Sequence, residues 1–488
     1  MKYIEGSNRN QIILLPESID EYIAEDNVAR VIDAYIDSLD VKILGFKNAE
    51  LNETGRPPYA PADLLKLYVY GYMNRIRSSR RLETETKRNL EVIWLLKKLS
   101  PDHKTISRFR RDNPDALKNV FRNFVKMCLR LGLYGKELAA IDGSKFKAVN
   151  SSDRNFSIPE LEQRIKRLNT RIDEYIQQLN ESDAADDKTE NEKSADIKKI
   201  IERLSTRKNI YESYIEELNS NGETQKSLTD PDSKLMKGAN SFDVSYNIQT
   251  SVDSKNKLIA EFNITNDGND MKQLSEMAAA TAEILDAPNI TASADTGYNN
   301  PSEIFKCIEK GITPQVAGSE GTICIPCKKH EAETIESHEN GKVVFIRERN
   351  IAICPMGNIL FPKHYKNTDR MAVYYNYTAC NNCKNRCTKI KYRQFTVRMK
   401  KSEFNKEYNI RDLYIRQIHL KPDPEIIAQR KTIVEHPFGI IKRSMDAGYL
   451  LTKGLKSAAG EFSLVFLAYN LKRVINILGT KKLIQAMV

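Results

Sequence analysis

A chain of 488 residues with 40% apolar content is too long for one small domain and apolar enough to build real cores, so about two to four folding units are expected. Its 76 Lys and Arg against 65 Asp and Glu leave a net charge of +11 and a pI near 9.0, which favours a polyanionic partner, nucleic acid before anionic membrane. No run approaches the roughly 18 apolar residues of a membrane span. Ile12 to Leu15, behind Glu5, is too short an apolar core for a signal peptide, so a cytoplasmic protein is expected, whose eight cysteines are thiols or metal ligands rather than disulfides.

Residues 1–135 are expected to form a helical N-terminal DNA-binding domain. LLKLYVYGYMNRI, residues 64–76, is apolar at helical spacing. Asn113-Pro114 supplies an N-cap and a first-turn proline for a helix through LKNVFRNFVKMCLRL, which Gly132 stops. Before it lies the basic segment DHKTISRFRR, Asp102 to Arg111. With Ile106 and Phe109 facing a core, Lys104, Ser107, Arg108, Arg110 and Arg111 would face out. A short basic helix followed by a longer one suggests a helix-turn-helix-like DNA reader; the plainer alternative is a solvated basic face.

Residues 136–156 open an α/β core. In ELAAIDGSKFKAV, residues 137–149, a short apolar run ends at Asp142, with Gly143 and Ser144 after it. Over 157–226, Leu161, Ile165, Leu168, Ile172, Tyr175 and Leu179 step by four and three, and Ile197, Leu204, Tyr211 and Leu218 form a second seam beyond NESDAADDKTENEKS. This predicts an antiparallel helical hairpin, inserted as a spacer or subunit contact. The core resumes over 227–312. Phe242, Val244, Tyr246, Ile248, Thr250 and Val252 share one parity, DSKN turns the chain and KLIAEFNIT returns it, a hairpin signal. Met271 to Leu285 reads as a helix. NITASADTGYNN, residues 289–300, then repeats the first pattern, a small-residue strand followed by Asp295, Thr296 and Gly297. Strands flanked by helices indicate an α/β core. Residues 313–420 form a Cys-rich β insertion, and 421–488 return as helices: Asp423-Pro424 starts one through RKTIVE, and an amphipathic helix covers about 457–478.

Three acids fall at element ends or on a helix: Asp142, Asp295 and Glu435. Carboxylates just past strand ends point into the crevice where open α/β sheets bind ligands. Paired acids repel, so such a pair usually implies a bound cation, and Mg²⁺ prefers a few carboxylates with phosphate oxygens and water. An Asp before Gly is otherwise a turn residue. The paired pattern AIDGS and SADTG on a basic chain favours the cation. In RKTIVEHPFGIIKR, residues 430–443, Lys431 lies four positions before Glu435 and Lys442 seven after, so a regular helix places the three within about 60° of one another. Such a carboxylate suits a metal ligand whose neighbours hold phosphates. Pro437 predicts a kink or break near Ile433 to Glu435.

Six of the eight cysteines lie between 324 and 387, in two C-x-x-C pairs, Cys324/Cys327 and Cys380/Cys383, with Cys354 and Cys387 beside them. Ligand types and spacing suit a structural Zn²⁺ held by Cys354, Cys380, Cys383 and Cys387, or by the two C-x-x-C pairs. Reduced thiols in a small β insertion are the alternative.

Asp142 in AIDGSKFKA, Asp295 in SADTGY and Glu435 in VEHPFGIIKR resemble the catalytic acids of DDE transposases from bacterial insertion sequences. Nearly the whole chain shares the resemblance, including the ending LTKGLKSAAGEFSLVFLAYNLKRV. It implies an RNase H-like catalytic core. In much of that group the last acid belongs to a pattern of Tyr, Arg, Glu and Lys. Here Glu435 and Lys442 match, Lys431 stands for the Arg with Arg430 one position earlier, and Ala428 replaces the Tyr. The resemblance further implies that Asp142, Asp295 and Glu435 bind two Mg²⁺ or Mn²⁺ ions. It implies cleavage at the element's ends and attack of the freed 3′-hydroxyl on target DNA. Lys431 and Lys442, with Arg430 and Arg443, would grip phosphates. The expected partners are double-stranded DNA, as terminal inverted repeats and target, and a second copy of the chain on that DNA. A similar Cys insertion in related transposases favours the set with Cys354. A metal-dependent nuclease that does not join strands, or a non-cutting DNA-binding regulator, are the alternatives.

Overall fold

From Val28 to Arg130 apolar stripes alternate with capping residues, and six helices result: α1 (Val28–Asp37), α2 (Pro61–Met73), α3 (Ser79–Arg88), α4 (Leu90–Leu95), α5 (His103–Asp112) and α6 (Pro114–Arg130). Asn27, Asn89 and Asp102 accept hydrogen bonds from the free N–H groups that open α1, α4 and α5. A computed structural model describes residues 18–50, 57–150, 154–183, 188–238, 241–327, 335–338, 343–383, 386–410 and 414–487. The chain divides into two compact units: residues 1–133, 439–447 and 456–488 make one, and residues 134–438 with 448–455 the other.

The second unit begins with β1 (Leu138–Lys147), β2 (Asn155–Ser157), α7 (Ile158–Asp183), α8 (Lys188–Asn221), β3 (Gln225–Ser227) and β4 (Lys234–Lys237). It continues through β5 (Phe242–Asp253), β6 (Ile259–Thr265), α9 (Leu274–Ile284), β7 (Thr291–Ala294), α10 (Pro301–Glu309) and β8 (Thr313–Val316). The main sheet runs β4-β5-β1-β7-β8, with β6 also on β5. β5 is antiparallel to β1 and β6, whereas β7 and β8 run parallel to β1. The core is therefore mixed α/β. α7 and α8 form the expected hairpin, with Phe156, Leu161, Leu168, Tyr211 and Leu218 buried along its seam. Part of the acidic tip, residues 184–187, lies outside the described residues.

β8 opens the stretch read as the Cys-rich insertion, yet it belongs to the main sheet. β9 (Gly321–Cys327) leaves it, followed by β10 (Ile335–His338), β11 (Val343–Ile346), β12 (Ile351–Ile353), β13 (Ile359–Lys366), β14 (Met371–Tyr375), α11 (Tyr377–Asn381), β15 (Gln394–Arg398), α12 (Lys401–Phe404) and β16 (Tyr414–Leu420). β10 to β15 form an antiparallel meander in chain order, and β16 pairs back on β9 as a two-stranded stem. One face of the meander buries Phe345, Leu360, Tyr374 and Phe395. The other buries Val344, Ile346, Ile351 and Ile353.

α13 (Pro424–Gly439) passes without interruption through Pro437, and a π-helical turn, Ile440–Ser444, follows. The break expected before Glu435 does not occur; the irregularity falls one turn later. α14 (Leu455–Leu478) and α15 (Thr480–Gln485) close the chain. The sequence pattern suggests an amphipathic α14, but Phe462 to Leu471 are buried all round. Within the first unit it packs on α6: the rings of Phe121 and Phe466 lie 6.3 Å apart, and a Cβ on Gly460 would stand 2.8 Å from Pro114 Cα. No helix among the described residues is long and apolar enough to cross a membrane.

Candidate active site

β1 and β7 place the first two acids side by side. Their parallel register pairs Leu138 with Thr291, Ala139 with Ala292 and Ala140 with Ser293. Asp142 on β1 and Asp295, the first residue past β7, each lie two residues beyond that last pair, near enough for the Asp295 charge to push up the Asp142 carboxyl. Asp295 does stand just past a strand end. It caps the turn Thr296–Tyr298, accepting from the Gly297 N–H at 2.8 Å. Asp142 does not: β1 continues to Lys147, paired to β5 as Asp142 with Thr250 and Gly143 with Gln249. The reading of Asp-Gly as a strand end is corrected here, because β5 supplies ladder partners where β7 stops.

Gly143 answers to packing rather than to a turn. A Cβ there would stand 2.6 Å from Asp270 Oδ1 and 3.1 Å from Asn247 Oδ1, and would also strike Gln249 Nε2. Asp270, on the loop between β6 and α9, accepts from Asn247 Nδ2 at 2.7 Å and from Gln249 Nε2 at 2.6 Å. The buried Gln249 also accepts from the Tyr298 hydroxyl, on the turn that Asp295 caps. One side chain thus ties β1's neighbour, the Asp270 loop and the Asp295 turn together. Sequence reasoning missed Asp270, Gln249 and Tyr298; the small-residue strand ending in SADTGY was the only nearby signal. A cleft of about 580 Å³ opens beside them, lined by Lys145, Asp270, Thr296, Gly297, Asn299 and Gly318 among others.

α13 brings Arg430, rather than Glu435, to Asp142. Arg430 Nη1 is 3.9 Å from Asp142 Oδ1, and both side chains are largely buried. Burial pushes the Asp142 carboxyl up to about 6. Arg430 opposes the rise, Asp295 and Asp270 add like-charge repulsion, and the Gly143 N–H, 3.0 Å away, lowers it again. Glu435 is 64% exposed, with Lys431 Nζ 3.9 Å from its Oε1. Lys431 and Glu435 share a face as expected. Toward Lys442 the π turn breaks the 3.6-residue spacing that the shared face assumed. Lys442 is half-buried and Arg443 exposed.

Facing carboxylates of like charge are the chemistry of a hard divalent cation's donor set, because bound charge removes their repulsion. Asp142 and Asp295 meet that description, with Asp270 at their side. Among the described residues no three Asp, Glu, His or Cys side chains already stand close enough to hold a metal ion. Glu435 is the sequence-named acid that remains outside.

In the first unit Lys104, Ser107, Arg108 and Arg111 of α5 are exposed as expected, Arg111 paired with Asp112 at 2.7 Å. Arg110 is a correction. It is 7% exposed, donates to the Tyr72 hydroxyl at 2.8 Å and lies 4.0 Å from the buried Glu461. Four residues after Ile106, it falls within about 40° of that core-facing position. Only Asn113 separates α5 from α6, a tighter link than the three- or four-residue turn of a helix-turn-helix.

Cys354, Cys380, Cys383 and Cys387 line one small cavity with Asn358, Arg386, Thr388 and Lys391. A hydrogen bond with Cys387 pulls the Cys354 thiol down to about 6 and pushes Cys387 up. The Arg393 N–H donates to Cys380 Sγ at 3.4 Å, and Asn358 Nδ2 to Cys383 Sγ at 3.8 Å. The side chains of the rival pair, Cys324 and Cys327, lie outside the described residues.

Two stretches of the chain match models of protein families. Residues 17–112 match a transposase domain (DUF772), and residues 353–475 match a transposase DDE domain. The second match takes in the four cysteines, Arg430, Lys431, Glu435 and Lys442, whereas Asp142 and Asp295 lie outside both. Neither the curated proteins nor the solved structures gave a match.

Proposed function

The chain belongs to the DDE transposases of insertion sequences, and on that premise we propose that it binds the ends of its element, cuts them and joins them to target DNA. The observation that carries this reading is the approach of Asp295, at the end of β7, to Asp142 on the neighbouring β1, close enough to push up the Asp142 carboxyl, with Arg430 of α13 against Asp142. The order β6-β5-β1-β7-β8, an antiparallel meander extended by two parallel strands, supports an RNase H-like core.

Asp142, Asp295 and Glu435 are the proposed ligands of two Mg²⁺ or Mn²⁺ ions. Such ions, when bound, activate water and stabilise the leaving oxygen of a phosphodiester. Asp142 sits on β1 and Asp295 on the turn after β7, and Gln249 of β5 accepts from Tyr298 and so fixes that turn beside the strand paired with β1. The exposed Glu435 of α13, with Lys431 beside it, would meet the substrate from the helix side. Lys431, Lys442 and Arg443 hold phosphates as point charges or forks. Arg430 keeps Asp142 ionised until cation and phosphate arrive.

Residues 1–135 are proposed as the DNA-binding domain, through Lys104, Arg108 and Arg111. Cys354, Cys380, Cys383 and Cys387 are proposed as a structural Zn²⁺ site on their ligand type and spacing; all four line one cavity, and no three of them stand at ligating distance, so binding would draw them together. The protein would work in the cytoplasm as a homodimer on double-stranded DNA.

The test offers purified full-length chain Mg²⁺ or Mn²⁺, linear DNA with the inverted repeats that flank its gene, and a plasmid target. Joined products are expected. Cuts without joining would replace this reading with a metal-dependent nuclease, and binding without cuts with a DNA-binding regulator.

A further inference from the structure

Of the chain's net +11, nine units fall between Lys363 and Lys400, where ten Lys and Arg stand against Asp369 alone. This stretch is β13 to β15 and the α11 loop of the Cys-rich insertion. Lys363, Lys366, Arg370, Arg386, Lys389, Lys391, Arg398 and Lys400 are all exposed. The ion pairs described in the insertion, Arg347 with Glu336 and Glu403 and His338 with Glu336, use none of them.

A charge run is ordinarily a solvated face. This one is interleaved with rings. Tyr375 and Tyr392 pack at 4.9 Å, and Tyr377 meets Tyr392 edge-on at 5.7 Å while remaining 42% exposed. Lys391 Nζ sits 5.3 Å from the Tyr377 centroid, and Lys363 Nζ stands 5.9 Å from Tyr375 and 6.0 Å from Phe361. The rings hold these lysines in place, so less side-chain entropy is lost when they meet an anion. Tyrosine edges between ordered cations suit a sugar-phosphate backbone. The matched transposase DDE domain encloses the whole stretch, which favours DNA over a lipid surface.

We propose that this face of the Cys-rich insertion docks double-stranded DNA through its phosphates, as a binding surface additional to the acid site. It rests on the reading that DNA is the substrate.

The test measures binding of the full-length chain to a labelled duplex of arbitrary sequence, without divalent metal, across a range of salt. Failure to cut or join DNA would thus count against the proposed function and leave this readout intact. Removing one phosphate-binding cation makes the slope of log K against log salt shallower by about 1. The triple variant Lys363→Ser, Lys389→Ser, Lys391→Ser should therefore lower the slope by about 3, with affinity at physiological salt falling at least about tenfold. The same substitutions at Lys166, Lys198 and Lys199 on the helical hairpin should leave both unchanged. An unchanged slope in the first triple variant, or an equal loss in the second, overturns the proposal. If the first variant melts, lysine acetylation of the unsubstituted chain decides: DNA must protect Lys363, Lys389 and Lys391 more than Lys166 and Lys198. Uniform labelling, or stronger competition by anionic phosphatidylserine vesicles than by unlabelled DNA, overturns it too.

Discussion

Arg430 Nη1 stands 3.9 Å from Asp142 Oδ1, so α13 presents a cation, and not its carboxylate, to the acid on β1. Arg430→Ala should cut the single-turnover rate of DNA cleavage by about 10²- to 10³-fold, the size of loss expected on removing one preorganised donor from a reacting centre. Arg430→Lys should recover part of it. Because Arg430 holds the Asp142 carboxyl down, the rising limb of the pH–rate profile should also move to higher pH in the alanine variant. A rate loss without that movement would mean that Arg430 acts on the DNA alone.

Gly143 has a neighbour where a side chain would go. Gly143→Ala should destabilise the protein by about 1–3 kcal/mol, as overpacking does, since its Cβ would meet Asp270 Oδ1 at 2.6 Å. Urea unfolding measures this. Asp270→Ala removes one of the atoms the Cβ would meet and releases the Gln249 amide that Asp270 holds there, so the double variant should be more stable than the sum of the single effects predicts. Strict additivity would mean that the two residues do not meet.

Asp142 makes the metal-free fold sensitive to pH. Its carboxyl is raised from 3.8 to about 6 in the fold. Below about pH 4 both folded and unfolded states carry the proton, and the residue has no effect on stability. Between about pH 4 and pH 6 the unfolded state gives up its proton while the buried carboxyl keeps it, so stability falls, and above pH 6 the full penalty of the buried charge is in place. Asp142→Asn should therefore raise the melting temperature of metal-free protein above pH 6, by an amount equivalent to about 1–3 kcal/mol, and should not raise it at pH 4. Thermal melts at both pH values provide the check.

The four thiols around one cavity predict one Zn²⁺ per purified chain by elemental analysis. Cys387→Ser should lose it, and chelation should expose thiols and loosen the insertion in hydrogen exchange. Zinc-free protein with an unaltered fold would remove this site.

The sequence announces what depends on local pattern. The hairpin β5–β6, the α7–α8 seam and Asp295 after a short strand all follow from periodicity and turn residues. What it conceals depends on partners far along the chain. Asp142-Gly143 looks like a turn because nothing local reveals that β5 continues to pair beyond β7. Asp270 lies in NDGND, a loop by composition, and gains meaning only when Asn247 and Gln249 converge on it. Arg110 belongs to a basic run, yet its partner Glu461 is on the last long helix. Glu435 was legible as an acid among cations; its outward position was not, because face geometry on one helix cannot say which residue that helix turns toward β1.

The most direct measurement is single-turnover cleavage of end-labelled element DNA in Mn²⁺, comparing unsubstituted chain with Asp142→Asn, Asp295→Asn and Glu435→Gln. If the three acids form one metal-dependent centre, each variant should bind the DNA normally and lose at least about 10³-fold in rate. A Glu435→Gln variant that cuts at the unsubstituted rate would contradict the account.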